Sequence, residues 1–115
     1  MVTIQVERFD TATAIYINGE FYLDSIEYAE SIWTREVALH PRTIGICCRN
    51  VKYIDSSAIG ILVKFLNNAK KIGIELVFFD LSESVLSVFA TARLNDFFVT
   101  ITGEEFRARY AGKTT

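Results

Sequence analysis

The sequence predicts an α/β fold on a mixed β-sheet, with the element order β-β-α-β-α-β-α-β-α and helices packed against the sheet. Three observations carry that reading. The first eighteen residues alternate apolar and polar positions with the period of a strand. From residue 24 onward, stripes with helical spacing take turns with short apolar runs of strand length. Half of the 115 residues are apolar and 23% are charged, a balance that offsets the entropy of ordering and, at this length, fills one core. Residues 1–115 are therefore expected to form a single domain.

Taken in order, Val2, Ile4 and Val6 alternate with Thr3, Gln5 and Glu7, and a polar turn at Asp10-Thr11 leads into Ala12 to Asn18, where Ile15 and Ile17 share a face. These two strands are expected to open the chain as a hairpin. Ile26, Ala29, Trp33 and Val37 then fall on one side of a helix, with Asp24 and Glu27 in the spacing of a capping box. Pro41 ends that helix, because the residue before a proline is pushed out of helical geometry. Ile44 to Cys48 and Val51 to Ile54 read as extended. They lead into Asp55-Ser56-Ser57, where Ile59, Leu62, Val63, Leu66 and Ala69 begin the clearest helical stripe of the chain.

That helix closes with Lys70-Lys71, cations suited to a helix C-terminus, and with Gly73 as its left-handed cap. Ile74 to Phe79 reads as a buried strand, and Ser82 as the start of a helix turning Val85, Val88, Phe89 and Ala92 inward. Phe97 to Ile101 reads as a last strand. Thr102 and Glu105 have the spacing of a second capping box, before a terminal helix that turns Phe106 and Tyr110 to the core and a polar tail, Gly112 to Thr115, that frays. Strands that alternate with helices imply parallel pairing beyond the hairpin.

Several classes of function are set aside by composition. The net charge of −2, with scattered basic residues, gives no sustained positive stripe, so no direct nucleic-acid partner is expected. No apolar run approaches the roughly 20 residues that cross a bilayer, and Met1-Val2-Thr3-Ile4 lacks a basic region before a hydrophobic block, so no membrane insertion is expected and a cytoplasmic location is. Cys47 and Cys48 point to opposite faces of a strand and are expected to stay reduced; neither a metal nor a cofactor is implied. Trp33, Phe78, Phe79, Phe89, Phe97, Phe98 and Tyr110 read as core.

The turn at residues 55 to 57 is where chemistry is expected. Helix N-termini expose N–H groups and the positive dipole end, which favour negative charge. Asp and Ser are also the preferred N-caps, and one residue can cap while its neighbour stays exposed. A hydrolase with Ser56 as nucleophile would need a base. His40, the only histidine, lies ahead of the Ile44 strand, at its far end from Ser56, and no Gly-x-Ser-x-Gly or Ser-x-x-Lys pattern is present. Asp80 with Glu83 and the Glu104-Glu105 pair read as acids at helix starts rather than catalytic pairs. The protein is not expected to be an enzyme.

Val51-Lys52-Tyr53-Ile54-Asp55-Ser56-Ser57-Ala58-Ile59-Gly60 resembles the signature of the STAS family, the bacterial anti-sigma-factor antagonists. Lys71-Ile72-Gly73-Ile74-Glu75-Leu76 is similar to that family's helix end and following strand, and the element order is similar from the hairpin, through Gly19-Glu20, to the terminal helix. The resemblance implies a STAS-like domain and a phosphorylation-controlled protein-binding switch. Ser56 would be the phosphoacceptor, with Ser57 the second choice. Asp55, Ser57, Ala58, Gly60, Glu20, Phe21, Tyr22 and Asp24 would support the turn and the partner surface, with an exposed Phe21 or Tyr22 as an anchor. The implied partners are an anti-sigma factor that is also a serine kinase, which the unphosphorylated form binds to free a sigma factor, and a serine phosphatase that reverses the modification. The chain would act as a monomer or weak homodimer. Because the family includes non-phosphorylated members, a scaffold or adaptor subunit of a transport or signalling complex is the alternative. Ala58 stands where the family usually has Gly, and Phe21-Tyr22 where it commonly has Leu-Asp.

Overall fold

The computed structural model describes residues 2–111. Five strands, β1 (Val2–Arg8), β2 (Ala12–Phe21), β3 (Thr43–Ile54), β4 (Glu75–Phe79) and β5 (Thr100–Ile101), lie side by side in sequence order. The pair β1/β2 is antiparallel and every other pair is parallel, as a tight hairpin followed by helical crossovers requires. The crossovers are α1 (Ile26–Val37), α2 (Ser56–Ile72) and α3 (Glu83–Thr91). A short α4 (Gly103–Phe106) runs on into a π-helical turn, Arg107–Ala111. The proposed fraying tail, Gly112 to Thr115, lies outside the described residues.

Side-chain alternation divides the sheet into two faces. Ile15, Ile17, Ile44, Ile46, Cys48, Leu76 and Phe78 meet the three crossover helices in the main core. Ala14, Cys47, Val77 and Phe79 point the other way, where Phe106 covers them. The two cysteines are thus on opposite faces, and burial pushes both thiols above their ordinary range, which keeps them unreactive. Phe106 stacks on Phe79 with ring centroids 4.2 Å apart and planes 7° from parallel. Gly45 makes this possible, since a Cβ there would collide with the Phe106 ring. Between α1 and α2, Trp33 stacks on Phe65 at 4.6 Å and its indole N–H donates to Asn68 Oδ1 at 2.8 Å.

Several boundaries differ from the sequence reading, each for a tertiary reason. β3 is one twelve-residue strand where two pieces were expected, because its partner β2 extends to Phe21. The last strand shrinks to two residues: Phe97 and Phe98 donate their N–H groups to Leu94 O in a turn, and Phe98 turns into the core against Phe78 and Phe89. Phe97, expected in the core, is 39% exposed beneath the Lys70 ammonium, and Ala92 is exposed too. The Asp24–Glu27 capping box does not form. A 3-10 turn at Leu23–Ser25 precedes α1, whose N-cap Ser25 makes no side-chain cap bond. Thr102 does cap α4 through the Glu105 N–H at 3.0 Å, while the Glu105 carboxylate turns to Arg109 at 3.3 Å. Asp80 serves α4 rather than α3, accepting from Gly103 N–H at 2.8 Å and from Arg49 at 3.0 Å. Ser82 caps α3, as expected, by accepting from Val85 N–H.

One buried charge was not anticipated. Glu36 sits on the inner stripe of α1 with no exposed surface, and both its oxygens are used: Arg8 donates from Nε at 2.9 Å and Nη2 at 2.8 Å, and Arg35 from Nε at 2.9 Å. The pair ties the end of β1 to the end of α1. Hydrogen bonds from Arg8 hold the Glu36 carboxyl below its ordinary 4.5, against the opposing effect of burial. A depressed carboxyl pKa gives stability that is present above the unfolded value and lost as pH falls through the folded one. We therefore expect Glu36→Gln to cost about 1–3 kcal/mol at pH 7, a moderate figure because the two arginine heads remain in water. The deficit relative to wild type should close progressively below about pH 4.5 in chemical denaturation series. A deficit independent of pH would show that packing, not charge, holds this corner.

Candidate functional site at the start of the central helix

The β2/β3 register carries the site. Glu20 lies opposite Tyr53 and Phe21 opposite Ile54, so both strands end together at one edge of the sheet. From there β2 turns into Leu23–Ser25 and β3 into α2. Asp55 joins the two exits. Its N–H donates to Phe21 O at 3.3 Å, its Oδ1 accepts from Ala58 N–H at 2.8 Å, and its Oδ2 accepts from Leu23 N–H at 3.0 Å. Asp55 is extended, with φ −100° and ψ 175°, as an N-cap must be. The first intrahelical bond runs from Ile59 N–H to Asp55 O at 3.0 Å. Ser56 and Ser57 therefore enter the helix with N–H groups that have no intrahelical acceptor, at the positive dipole end.

The capping role and the exposed hydroxyl fall on different residues. Asp55 caps; Ser56 is exposed on the first turn, and Ser57 is half-buried. Ala58 has no exposed surface, and neither has Phe21. Both were expected to serve the turn and partner surface, and Phe21 to be available as an anchor. Their side chains instead belong to the main core, and they reach the turn only through backbone bonds to Asp55. Gly60 is exposed on α2, and a Cβ there would meet nothing within 4 Å, so the fold itself does not call for glycine at this position.

Around Ser56 the surface is apolar and acidic. Tyr22 is 37% exposed, Leu23 68% and Tyr53 58%, and Asp24 is also exposed. The Tyr22 phenol is raised above its ordinary range by desolvation first, then by Glu20, Tyr53 and Asp55, which places Tyr22 in the field of those three groups. Leu23 and Tyr53 were not singled out from the sequence. Neither had a clear local signal: Tyr53 lies two positions from buried Val51, where strand alternation alone would turn it to the same face, and the position of Leu23 is set by a bond to a residue 32 positions away.

The one histidine of the sequence lies far from this turn. His40 is an exposed residue before β3, and Ser56 follows its other end, so the length of a twelve-residue strand separates them, roughly 36 Å at 3.3 Å per residue. Among the described residues there is no cluster of His, Cys, Asp and Glu able to hold a metal ion, and no helix is long and apolar enough to cross a membrane.

Comparison with solved structures finds this architecture among anti-sigma factor antagonists. SpoIIAA in its unphosphorylated form is similar with a TM-score of 0.78 at 19% identity, over 93% of this chain and 95% of that one. Bacillus SpoIIAA in its phosphorylated form gives 0.73 at 18% identity, over 93% and 98%. An anti-sigma factor antagonist from Mycobacterium paratuberculosis gives 0.79 at 18% identity, over 87% and 85%. At these identities the likeness is one of fold. No curated protein sequence matches the chain. The sequence does match the model of the STAS domain from residue 3 to residue 108, a span that holds all five strands from Thr3 onward and all four α-helices, and the chain belongs to the STAS domain family.

Proposed function

We propose that this protein is an anti-sigma-factor antagonist, a protein-binding switch set by phosphorylation of Ser56. The observation that carries the reading is the exposed Ser56 hydroxyl on the first turn of α2, left free of capping duty by Asp55. In its unphosphorylated form the protein binds an anti-sigma factor that is also a serine kinase, and so frees a sigma factor. A serine phosphatase restores that form. The module works in the cytoplasm as one domain without catalysis of its own, its partner surface formed by Gly60, Glu20, Tyr22, Asp24 and the turn.

The physics of the modification favours this reading. A phosphoserine brings a charge of about −1.5 to −2. At the start of α2 it meets the dipole end and the Ser56 and Ser57 N–H groups, so the fold accommodates it. Toward a partner it adds a dianion beside Asp55, Asp24 and Glu20, and burying that charge in an interface opposes binding through desolvation and repulsion. A switch of this kind alters recognition while the backbone stays as it is. Support by analogy comes from SpoIIAA, whose two forms both have folds similar to this one.

Incubation with an anti-sigma serine kinase and ATP, followed by peptide mass spectrometry, should place one phosphate on Ser56 and none in Ser56→Ala. Phosphate on Ser57 alone, or none, would remove the assignment. Ser56→Asp should weaken binding to that kinase by about tenfold or more, a loss of about 1.4 kcal/mol, with a circular-dichroism spectrum like that of wild type. A collapse of the fold in this variant would mean that Ser56 is structural. Asp55→Asn should keep the Ala58 cap through its amide oxygen but lose the Leu23 bond, since an amide nitrogen cannot accept. The expected cost is about 1 kcal/mol, read in urea denaturation, with faster hydrogen exchange at the Leu23 amide than at Ala58.

A further inference from the structure

At the far end of the sheet from Ser56 lies a cleft of about 310 Å³, between the hairpin turn (residues 9–13) and the loop before β3 (residues 39–42). We propose that it is a binding site for a small oxyanion, the phosphate or carboxylate group of a low-molecular-weight compound. The first observation is on Thr13. Among the described residues four polar or charged ones are buried, Thr13, Ser25, Glu36 and Thr43. Ser25 bonds Asp24, Glu36 bonds two arginines, and Thr43 bonds Glu75. Thr13, only 3% exposed, makes no side-chain hydrogen bond among the described residues. Yet no sealed side-chain oxygen or nitrogen among the described residues lacks a partner. The Thr13 hydroxyl is therefore not fully sealed, and Thr13 is one of the residues lining the cleft. A nearly buried hydroxyl without a protein partner calls for a ligand or water.

The second observation is charge. Arg8 and Arg42 line the cleft together with one acid, Asp10, and the ring of His40. Arg42 is exposed and has no ion pair among the described residues. Arg8 spends Nε and Nη2 on Glu36, which leaves Nη1. The negative end of α1 is partly offset here, since the carbonyls of Thr34, Glu36 and Val37 accept from the N–H groups of Ala38, Leu39 and His40. The walls are also preset: Arg42 N–H donates to Thr11 O at 2.8 Å, Thr43 N–H to the same oxygen at 3.3 Å, and Phe9 N–H to Ala12 O at 2.8 Å. Fixed walls, an arginine without a counter-ion and an unspent hydroxyl make a site in which charge-assisted bonds replace the hydration of an oxyanion.

The test is a titration followed by amide NMR, with sodium phosphate and sodium acetate in separate arms and sodium chloride at matched ionic strength as the control. Saturable shifts confined to residues 9–13 and 39–42 are expected, and the arm that saturates at lower concentration tells phosphate from carboxylate. Arg42→Ala, a surface change that leaves the fold intact, should weaken binding about tenfold or more by removing a charged hydrogen bond. Thr13→Val, of nearly the same shape, should weaken it several-fold. Ser56→Asp should bind as wild type does, which separates this site from the switch. Shifts that never saturate, that chloride reproduces, or that persist unchanged in Arg42→Ala would overturn the proposal.

Discussion

The Asp55 carboxylate divides its two oxygens between Ala58 N–H and Leu23 N–H, and the geometry of this end of the sheet depends on that division. One bond starts the central helix; the other sets the path by which β2 leaves the sheet. Because parallel pairing brings Phe21 alongside Ile54, the two exits are already neighbours, and a side chain as short as aspartate spans them. A longer acid would overshoot the cap, and an amide would have only one acceptor to give. The exposed run Tyr22-Leu23-Asp24 is tied to the start of α2 through this group.

The same economy appears at the opposite end, where Glu36 collects Arg8 and Arg35 and fastens the hairpin to the first helix. The two carboxylates differ in kind. Asp55 accepts from neutral backbone donors and lies partly in solvent, so its effect is local and geometric. Glu36 is sealed and meets two guanidinium groups, so its effect depends on its charge. Between them the sheet supplies the rigidity: the main core on one side, and on the other a thin cover in which Phe106 rests on Phe79 over the gap left by Gly45.

Much of this architecture could be read from residues close together in the chain. Alternation placed the hairpin, the 3.6-residue stripes placed the crossover helices, and Asp55, Ser82 and Gly73 marked helix ends because caps are local chemistry. The errors share one cause, a partner distant in sequence. Asp24 lost its capping role because the segment before α1 is set by Asp55. Phe97 left the core because Phe98 found Phe78 and Phe89 first. Glu36 was not singled out, because the arginine that meets both its oxygens belongs to β1. Phe21 and Ala58 fell within the expected turn and partner surface, yet their side chains proved to be core, since a motif in sequence does not say which of its members face inward.

The separation of cap from hydroxyl has a consequence for how such a module diversifies. The groups that fix the backbone around the turn are a carboxylate, two amides and buried apolar side chains. The exposed residues around it, Tyr22, Leu23, Asp24, Tyr53 and Gly60, contribute little to the interior. Substitution can then rewrite the outward face of this turn without disturbing the scaffold that carries it.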